Sequence, residues 1–217
     1  MGVGAGVVIA LAKSLHEPDK STLFFDNYFA GLSLFLYLKN EMNIYSLGTL
    51  RSNRIDGCPI ETDKVLQKQG RGSFDFKSDK EKGIIIVKWI DNKAVLLGNT
   101  LYGVEPIESV KRFNKQEKKK VNVNCPTIIK QYNKHMGGVD TANALMGLYK
   151  SPHKAKRWYF PIFTYLLDVC VINAWLLYRA DCKALNKKLD PLKKFRLGIA
   201  KVLSTCGKGA RKGRPNI

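Results

Sequence analysis

Two aspartates that stand far apart in the sequence have contexts that suit phosphodiester chemistry. Asp26 follows the apolar run Leu23-Phe24-Phe25, and Asp140 follows the double glycine Gly137-Gly138. Because an unpaired carboxylate is costly to bury, the first pattern predicts a strand that ends at Asp26 and presents it at the carboxyl tip, where ligands collect in open α/β sheets. Carboxylates on rigid elements can hold paired Mg²⁺ or Mn²⁺ ions roughly 4 Å apart for phosphodiester hydrolysis.

Helix capping is the simpler explanation for either acid, because aspartate is among the preferred N-cap residues. The elements around Asp26 favour the ligand over the cap. Periodicity predicts a helix over residues 28–39 and a second strand over Ile44–Leu50, which together make a βαβ unit with parallel strands. Arg51 and Arg54 follow the second strand and are therefore expected close to Asp26.

The rest of the chain changes from β-rich to helical. Strand-like segments follow at Gly70–Lys77, Gly83–Ile90 and Lys93–Leu97, which we interpret as a hairpin or meander in an inserted subdomain. Helices are predicted at both ends of the chain: Val7–Leu15, Pro126–Met136, Thr141–Tyr149, Arg157–Ala184 and Asp190–Leu203. Asp140 is expected to cap or open the helix Thr141–Tyr149. The first of these helices lacks cap residues, which suggests that the chain is truncated at its start.

The chain is strongly basic. Lys and Arg number 37 against 18 Asp and Glu, so the net charge is +19. Such an excess indicates a polyanionic partner, either nucleic acid or an acidic membrane face. Phosphate contacts are expected above all from Arg51 and Arg54, and the further candidates are Lys118, Lys119, Lys120, Lys156, Arg157, Arg211 and Lys212. For Lys118, Lys119 and Lys120, which we interpret as part of a basic linker, plain solvation is an equal alternative. For Lys156 and Arg157 the equal alternative is that Trp158 anchors the core and the two basic side chains are only solvated.

Two other classes of protein are disfavoured. The most apolar stretch, Ile162–Leu177, is interrupted by Asp168 and Asn173 and is shorter than the roughly 20 residues that a membrane span needs. The 5 cysteines are widely spread and include no C-x-x-C pair, which argues against a disulfide framework or a zinc knuckle. A reduced intracellular compartment and no membrane partner are expected.

Four motifs that occur in order carry a resemblance to a known family. They are Phe25-Asp26-Asn27-Tyr28-Phe29, Gly48-Thr49-Leu50-Arg51-x-Asn53-Arg54, Gln131-Tyr132-Asn133-Lys134-x-Met136-Gly137-Gly138-Val139-Asp140 and Arg157-Trp158. Together they resemble the piggyBac-type transposase domain, in its transposase-derived branch, over most of the chain.

The resemblance implies an α/β fold. It consists of a partial ribonuclease-H-like catalytic core, a β-rich insertion subdomain and a C-terminal helical region for dimerisation and DNA binding. The bounds expected are 1–57 for the first part of the core, 58–122 for the insertion, 123–149 for core helices with the last catalytic aspartate, 150–206 for the helical region and 207–217 for a basic disordered tail.

The resemblance also implies roles for single residues. Three aspartates bind two Mg²⁺ ions in the family; Asp26 matches the second of them, Asp140 matches the third, and the first has no match. Some members carry a further acid at the position of Asn143, where an amide is a weaker ligand. The cysteine-rich zinc region that many members carry at the C-terminus also has no match here.

The function expected is that of a nuclear protein that binds double-stranded DNA, forms a homodimer and is catalytically impaired. Two alternatives stay open. One is an active metal-dependent cut-and-paste transposase whose gene model starts late. The other is a non-enzymatic chromatin or protein-interaction module that uses the same fold.

Overall fold

The computed structural model describes residues 2–55, 57–114, 117–150 and 154–207, and these form two units. The first unit, residues 1–136, is a mixed α/β unit, and the second, residues 137–217, is helical in its described part. The elements of the first unit are α1 (Val3–Ala12), β1 (Thr22–Phe25), α2 (Leu32–Met42), β2 (Tyr45–Thr49), α3 (Asp63–Gln69), β3 (Phe74–Asp79), β4 (Ile84–Ile90), β5 (Ala94–Asn99), β6 (Ile107–Asn114), β7 (Lys119–Pro126) and α4 (Thr127–His135). Short 3₁₀ turns occupy Pro18–Lys20 and Ser52–Arg54.

Five strands form one sheet in the order β1-β2-β5-β4-β3. β1 and β2 are parallel and are joined by α2, whereas the other neighbours are antiparallel. The predicted βαβ unit is therefore confirmed. The predicted strand end is confirmed as well, because β1 stops at Phe25 and Asp26 follows it directly.

Both faces of the sheet are covered, which explains the long apolar run of β4. Successive side chains of a strand point to opposite faces. Ile86 accordingly belongs to a core cluster with α1 and α2, whereas Val87 belongs to a second cluster that includes Ile128 and Ile129 of α4. These two clusters fix β1, β2 and α4 with respect to one another.

The predicted meander is present as β3, β4 and β5, but it does not form a sheet of its own. β5 pairs with β2, with Leu47 opposite Asn99. The strands after residue 58 therefore extend the sheet that begins with β1, because strand patterns in a sequence do not encode which edge they pair with. The bounds 58–122 for an insertion stay a prediction.

The prediction that Lys118, Lys119 and Lys120 belong to a basic linker is wrong for the last two of them. Lys119 and Lys120 open β7, which pairs with β6 over its whole length in an antiparallel two-stranded ribbon. β6 alternates strictly between exposed and half-buried side chains. Glu108 and Arg112 stand at half-buried positions while Ile107 and Phe113 stand at exposed ones, so residue type does not reveal this alternation.

The second unit contains three helices in its described part: α5 (Gly138–Leu148), α6 (Phe160–Ala184) and α7 (Leu192–Thr205). A small core holds Ile172, Trp175 and Leu192. Asp168 lies in the apolar helix α6 and pairs with Arg196 of α7, with Arg196 Nη2 2.6 Å from Asp168 Oδ1. Asp168 thus has an ionic partner on the neighbouring helix.

Two expectations about α6 are wrong. Trp158, for which the sequence analysis offered a core role as an alternative, lies just before the helix and is 80% exposed. The exclusion of a membrane span also fails, because α6 extends to 25 residues and, among the described helices, is the one that is long and apolar enough to cross a bilayer. A single helix of this kind is weak support for a membrane protein, since core helices of soluble proteins share these properties.

Candidate functional site

Asp26 lies at the carboxyl end of β1 and is exposed. Its Oδ1 accepts a hydrogen bond from the backbone N–H of Tyr28 at 2.9 Å, and its carbonyl oxygen accepts from the N–H groups of Phe29 and Ala30. The following helix begins later, with Gly31 as its N-cap. Asp26 therefore does not cap α2. It orders the turn between β1 and α2 and leaves its second carboxylate oxygen on the exposed side chain available to a ligand.

Arg54 holds the same turn from the other side. Its Nη1 donates to the carbonyl oxygens of Asn27 at 2.9 Å and Tyr28 at 3.2 Å, and also to that of Ala30. The expected proximity of Arg54 to Asp26 is present, but this guanidinium group faces backbone carbonyls. Arg54 therefore positions the turn, a role that the sequence did not reveal.

Arg51 is the freer of the two arginines. It is exposed, and its Nε donates to the side-chain oxygen of Asn27 at a long 3.3 Å. Its guanidinium group thus lies beside the turn that carries Asp26 and can contact an anion there, since arginine forms bidentate pairs with phosphate.

Tyr132 and Thr49 form a part of the site that the sequence analysis did not single out. The Tyr132 hydroxyl of α4 lies 3.5 Å from the Thr49 hydroxyl at the end of β2. Burial raises the pKa of Tyr132 above its ordinary value. The hydrogen bond to Thr49 lowers the pKa by less, and the negative charge of Asp26 makes the smallest contribution, which raises it. Both residues stand in the motifs quoted above, which is the signal that could have found them.

His135 occupies the last position of α4 and is exposed. Its ring stacks on Phe24 of β1 with the ring centroids 4.6 Å apart, and its Nδ1 lies 3.0 Å from the carbonyl oxygen of Gln131. His135 therefore helps to pack the end of α4 against β1.

Gly48 of β2 allows the close contact between β1 and β2 at the site. A Cβ at this position would lie 2.7 Å from both Cδ2 and the carbonyl oxygen of Phe25, the residue before Asp26. Real Cβ atoms do not approach other atoms so closely. The ring of Phe25 thus packs over a backbone that has no side chain at residue 48.

Asp140 and Asn143 lie in the second unit, on α5. Gly137 precedes the helix with φ at 112°, a left-handed conformation that favours glycine. Asp140 was expected to cap or open this helix; it is the third residue of α5, so it does not cap the helix but lies in its first turn, where a carboxylate is favourable to the helix dipole. Asp140 and Asn143 are both exposed and are three residues apart, which places them on neighbouring positions of one helix face.

The described residues do not supply a complete metal centre within either unit. No group of three or more His, Cys, Asp or Glu side chains that could hold a metal occurs among them. Carboxylate oxygen suits Mg²⁺ or Mn²⁺, so Asp26 and Asp140 are each fit to serve as one ligand. The paired-metal site that the sequence analysis considered stays a prediction, and we derive no step through a metal.

The remaining basic candidates differ in their surroundings. Lys119 pairs with Glu117 at 2.8 Å, a contact that raises the pKa of the lysine, whereas Lys118 and Lys120 are exposed. In the second unit Lys156 is exposed and Arg157 donates to the Tyr159 hydroxyl at 2.8 Å. Arg211 and Lys212 lie outside the described residues.

Comparison with known proteins identifies the family. Residues 1–175 match the family model described as Transposase IS4. PiggyBac transposable element-derived protein 3 of Homo sapiens is 34% identical over 219 aligned residues, which cover 99% of this chain and 36% of that protein. The chain belongs to the piggyBac-type transposase family. PiggyBac transposable element-derived protein 2 of Homo sapiens is 30% identical over 84% of the chain and 31% of its own length.

A solved structure of this family has the same fold. The cryo-EM structure of a piggyBac transposase synaptic complex with hairpin DNA aligns with 100% of this chain and 42% of that chain, with a TM-score of 0.73 and 22% identity. The chain spans about a third of the length of the two piggyBac-derived relatives. The mixed α/β fold and the family resemblance inferred from the sequence are thus confirmed.

Proposed function

We propose that this chain is a nuclear, DNA-binding member of the piggyBac family and that the end of β1 faces DNA. The observation that carries the proposal is the exposed carboxylate of Asp26 beside the exposed Arg51, on a turn that Arg54 fixes. The net charge of +19 supports a polyanionic partner. The structural relative that contains hairpin DNA supports the same partner.

The β1–α2–β2 unit also supports a ribonuclease-H-like core for residues 1–57 and 123–149. Its support is the parallel strand pair with an acid at its carboxyl tip, and α4 packed on the same sheet. In this proposal Asp26, Asp140 and Asn143 are the ancestral ligands of Mg²⁺ or Mn²⁺. Two carboxylates are fewer than the paired-metal clamp needs, so the 217 residues by themselves are expected to leave DNA uncleaved.

Binding to DNA is tested by fluorescence anisotropy with a labelled duplex over a series of salt concentrations. We expect the logarithm of the binding constant to fall linearly with the logarithm of the salt concentration, because phosphate contacts release counterions. Arg51→Ala should weaken binding and make the slope shallower, whereas Lys64→Ala, which removes an equal charge from the exposed face of α3, should change neither. Binding without salt dependence would contradict the proposal and favour a protein-interaction module.

Cleavage is tested separately with supercoiled plasmid in Mg²⁺ and in Mn²⁺. We expect no nicking by the chain or by its Asp26→Asn variant. Nicking by the chain that is abolished in Asp26→Asn would contradict the impaired-site proposal and favour the active transposase.

The exposed side of α6 supports a homodimer as the second partner. The apolar side chains of Phe163, Leu166 and Leu177 are each more than half exposed. A second copy is a better partner for this surface than a membrane, because Asp168 and its ion pair with Arg196 lie within the helix and charged groups are costly in a bilayer. Light scattering should give twice the monomer mass, and Leu166→Glu with Leu177→Glu should restore the monomer; a monomer at all concentrations would contradict the homodimer.

A further inference from the structure

The β6–β7 ribbon has one face turned to solvent that carries hydrogen-bonding and basic side chains. Residues directly opposite one another in an antiparallel pair lie on the same face. Three such pairs are exposed on both strands: Ser109 with Asn124, Lys111 with Asn122, and Phe113 with Lys120. The other face packs on the second core cluster through Val110, Val121 and Val123.

The ribbon is fastened rigidly to the five-stranded sheet. Trp89 Nε1 of β4 donates to the carbonyl oxygen of Asn124 at 2.8 Å. Arg71 and Arg112 both pair with Asp91 at the turn between β4 and β5, and Arg71 Nη1 also donates to the carbonyl oxygen of Phe113 at 3.1 Å. The outward face is therefore presented in a fixed orientation.

The charge of the outward face is positive. Lys111 and Lys120 lie on it, and Lys118 lies exposed at the tip. The two acids of the ribbon are already engaged, since Glu108 pairs with Lys130 and Glu117 pairs with Lys119. No acid of the described ribbon residues lies on the outward face to offset these lysines.

The polar side chains of this face are available to a partner. The hydroxyl of Ser109 and the amides of Asn122 and Asn124 make no hydrogen bond to the described residues of the chain. Asparagine amides carry both a donor and an acceptor, so they can bind the edge of an adenine in two places. Lysines on the same face can contact phosphate.

We propose that the outward face of the β6–β7 ribbon binds in the major groove of double-stranded DNA. In this arrangement Asn122 and Asn124 face base edges, and Lys111, Lys118 and Lys120 face the groove walls. The proposal rests on the proposed DNA-binding function and assigns one surface to it. The surface lies on different strands from the turn that carries Asp26.

The dimensions of the ribbon fit duplex DNA. The major groove of B-form DNA is about 12 Å wide and admits a two-stranded ribbon. Strands of 8 residues reach about 27 Å at ~3.4 Å per residue, enough to follow several base pairs. The major groove of A-form RNA is deep and too narrow for such readout, which makes duplex DNA the better occupant than duplex RNA.

The test uses the full chain and three double variants. Lys111→Ala with Lys120→Ala removes the charge of the face, Asn122→Ala with Asn124→Ala removes its amides, and Lys64→Ala with Lys68→Ala on α3 is the charge-matched control. Circular dichroism and urea unfolding establish that each variant is folded. Anisotropy against a DNA duplex and an RNA duplex of the same sequence gives affinities and salt slopes, and selection from a random DNA library gives the sequence preference.

Each variant has its own expected result. The lysine pair should lower the affinity for duplex DNA about tenfold and reduce the salt slope by about 2, roughly one for each lysine that no longer neutralises a phosphate. The asparagine pair should keep the salt slope and lower the preference for selected over random sequence by about tenfold, because amides read bases and do not neutralise phosphates. The α3 control should match the unaltered chain.

The outcomes separate this inference from the proposed function. If the chain binds DNA and both ribbon variants behave as the α3 control does, the ribbon surface is refuted and the proposed function stands. If the unaltered chain does not bind DNA, both are refuted. If the ribbon variants weaken binding to duplex RNA as much as binding to duplex DNA, the face is a phosphate surface and the major-groove assignment is refuted.

Discussion

Arg54 Nη1 donates a hydrogen bond over 2.9 Å to the carbonyl oxygen of Asn27, the residue that follows Asp26. The same nitrogen donates to the carbonyl oxygens of Tyr28 and Ala30. One charged group thus binds three backbone carbonyl groups within four residues, in a turn that has no regular secondary structure. The conformation of the turn, and with it the direction of the Asp26 carboxylate, depends on this guanidinium group.

Replacing Arg54 should therefore destabilise the first unit. Arg54→Ala leaves carbonyl groups without their partner, and we expect a loss of about 1–3 kcal/mol in the free energy of unfolding in urea. Arg54→Lys should recover part of the loss, because an ammonium group retains the charge but not the planar geometry.

Arg51→Ala is the matched comparison for this prediction. Arg51 is exposed and makes a single long hydrogen bond to the Asn27 side chain, so its removal should change stability less than removal of Arg54. Equal stability of Arg54→Ala and the unaltered chain would show that the turn is held by its own hydrogen bonds alone.

Tyr132 should release its proton at a higher pH than an exposed tyrosine. Burial is the main cause, and Asp26 adds to it. Because the pKa of folded Tyr132 lies above its ordinary value of 10.0, the proton contributes to stability below that pH, and the contribution is lost as the pH rises through the raised pKa. Difference absorbance of tyrosinate between the chain and Tyr132→Phe measures this titration.

Asp26→Asn provides the second half of the titration experiment. Removing the negative charge should lower the pKa of Tyr132, although burial should still keep it above the ordinary value. An unchanged titration in Asp26→Asn would mean that the carboxylate does not act on the hydroxyl group.

The Asp168–Arg196 pair should stabilise the second unit. Both side chains are largely shielded from solvent, so Asp168→Ala leaves a poorly solvated guanidinium group and should cost about 2–4 kcal/mol in the free energy of unfolding. Lys194→Ala removes an ion pair with Asp190 whose lysine is 71% exposed and should cost much less. A double-mutant cycle with Arg196→Ala measures the coupling, and a coupling near zero would contradict the prediction.

Asp91 should control how firmly the β6–β7 ribbon is attached. Asp91→Ala removes the acid between Arg71 and Arg112 and leaves two like charges close together. Hydrogen exchange of the β6 and β7 amides should become faster, while exchange in α2 stays unchanged. Asn92→Ala, at the exposed neighbouring position in the turn, is the control, and equal exchange in the two variants would argue against this attachment.

The sequence predicted local features well where one pattern dominates. Asp26 at the end of β1 followed from three apolar residues meeting a carboxylate, and the parallel β1–β2 pair followed from strand, helix and strand in a short span. Both depend on short-range order, which residue patterns encode directly.

Features set by tertiary contacts could not be predicted in this way. Trp158 is a large aromatic residue of the kind that fills cores, but it is exposed, whereas Trp175 is buried. Likewise Arg54 carries the charge of a phosphate ligand, but three carbonyls lie within its reach only once the chain has folded. The roles of both residues are decided by partners far away in the sequence.

Because Gly48 contacts Phe25, a substitution at position 48 can displace the carboxylate of Asp26, the residue that follows Phe25. Any added methyl group must push against the ring and the carbonyl of Phe25, and the displacement passes through one peptide bond to Asp26. The position of the Asp26 carboxylate can therefore be altered from the neighbouring strand, without a substitution of Asp26 itself.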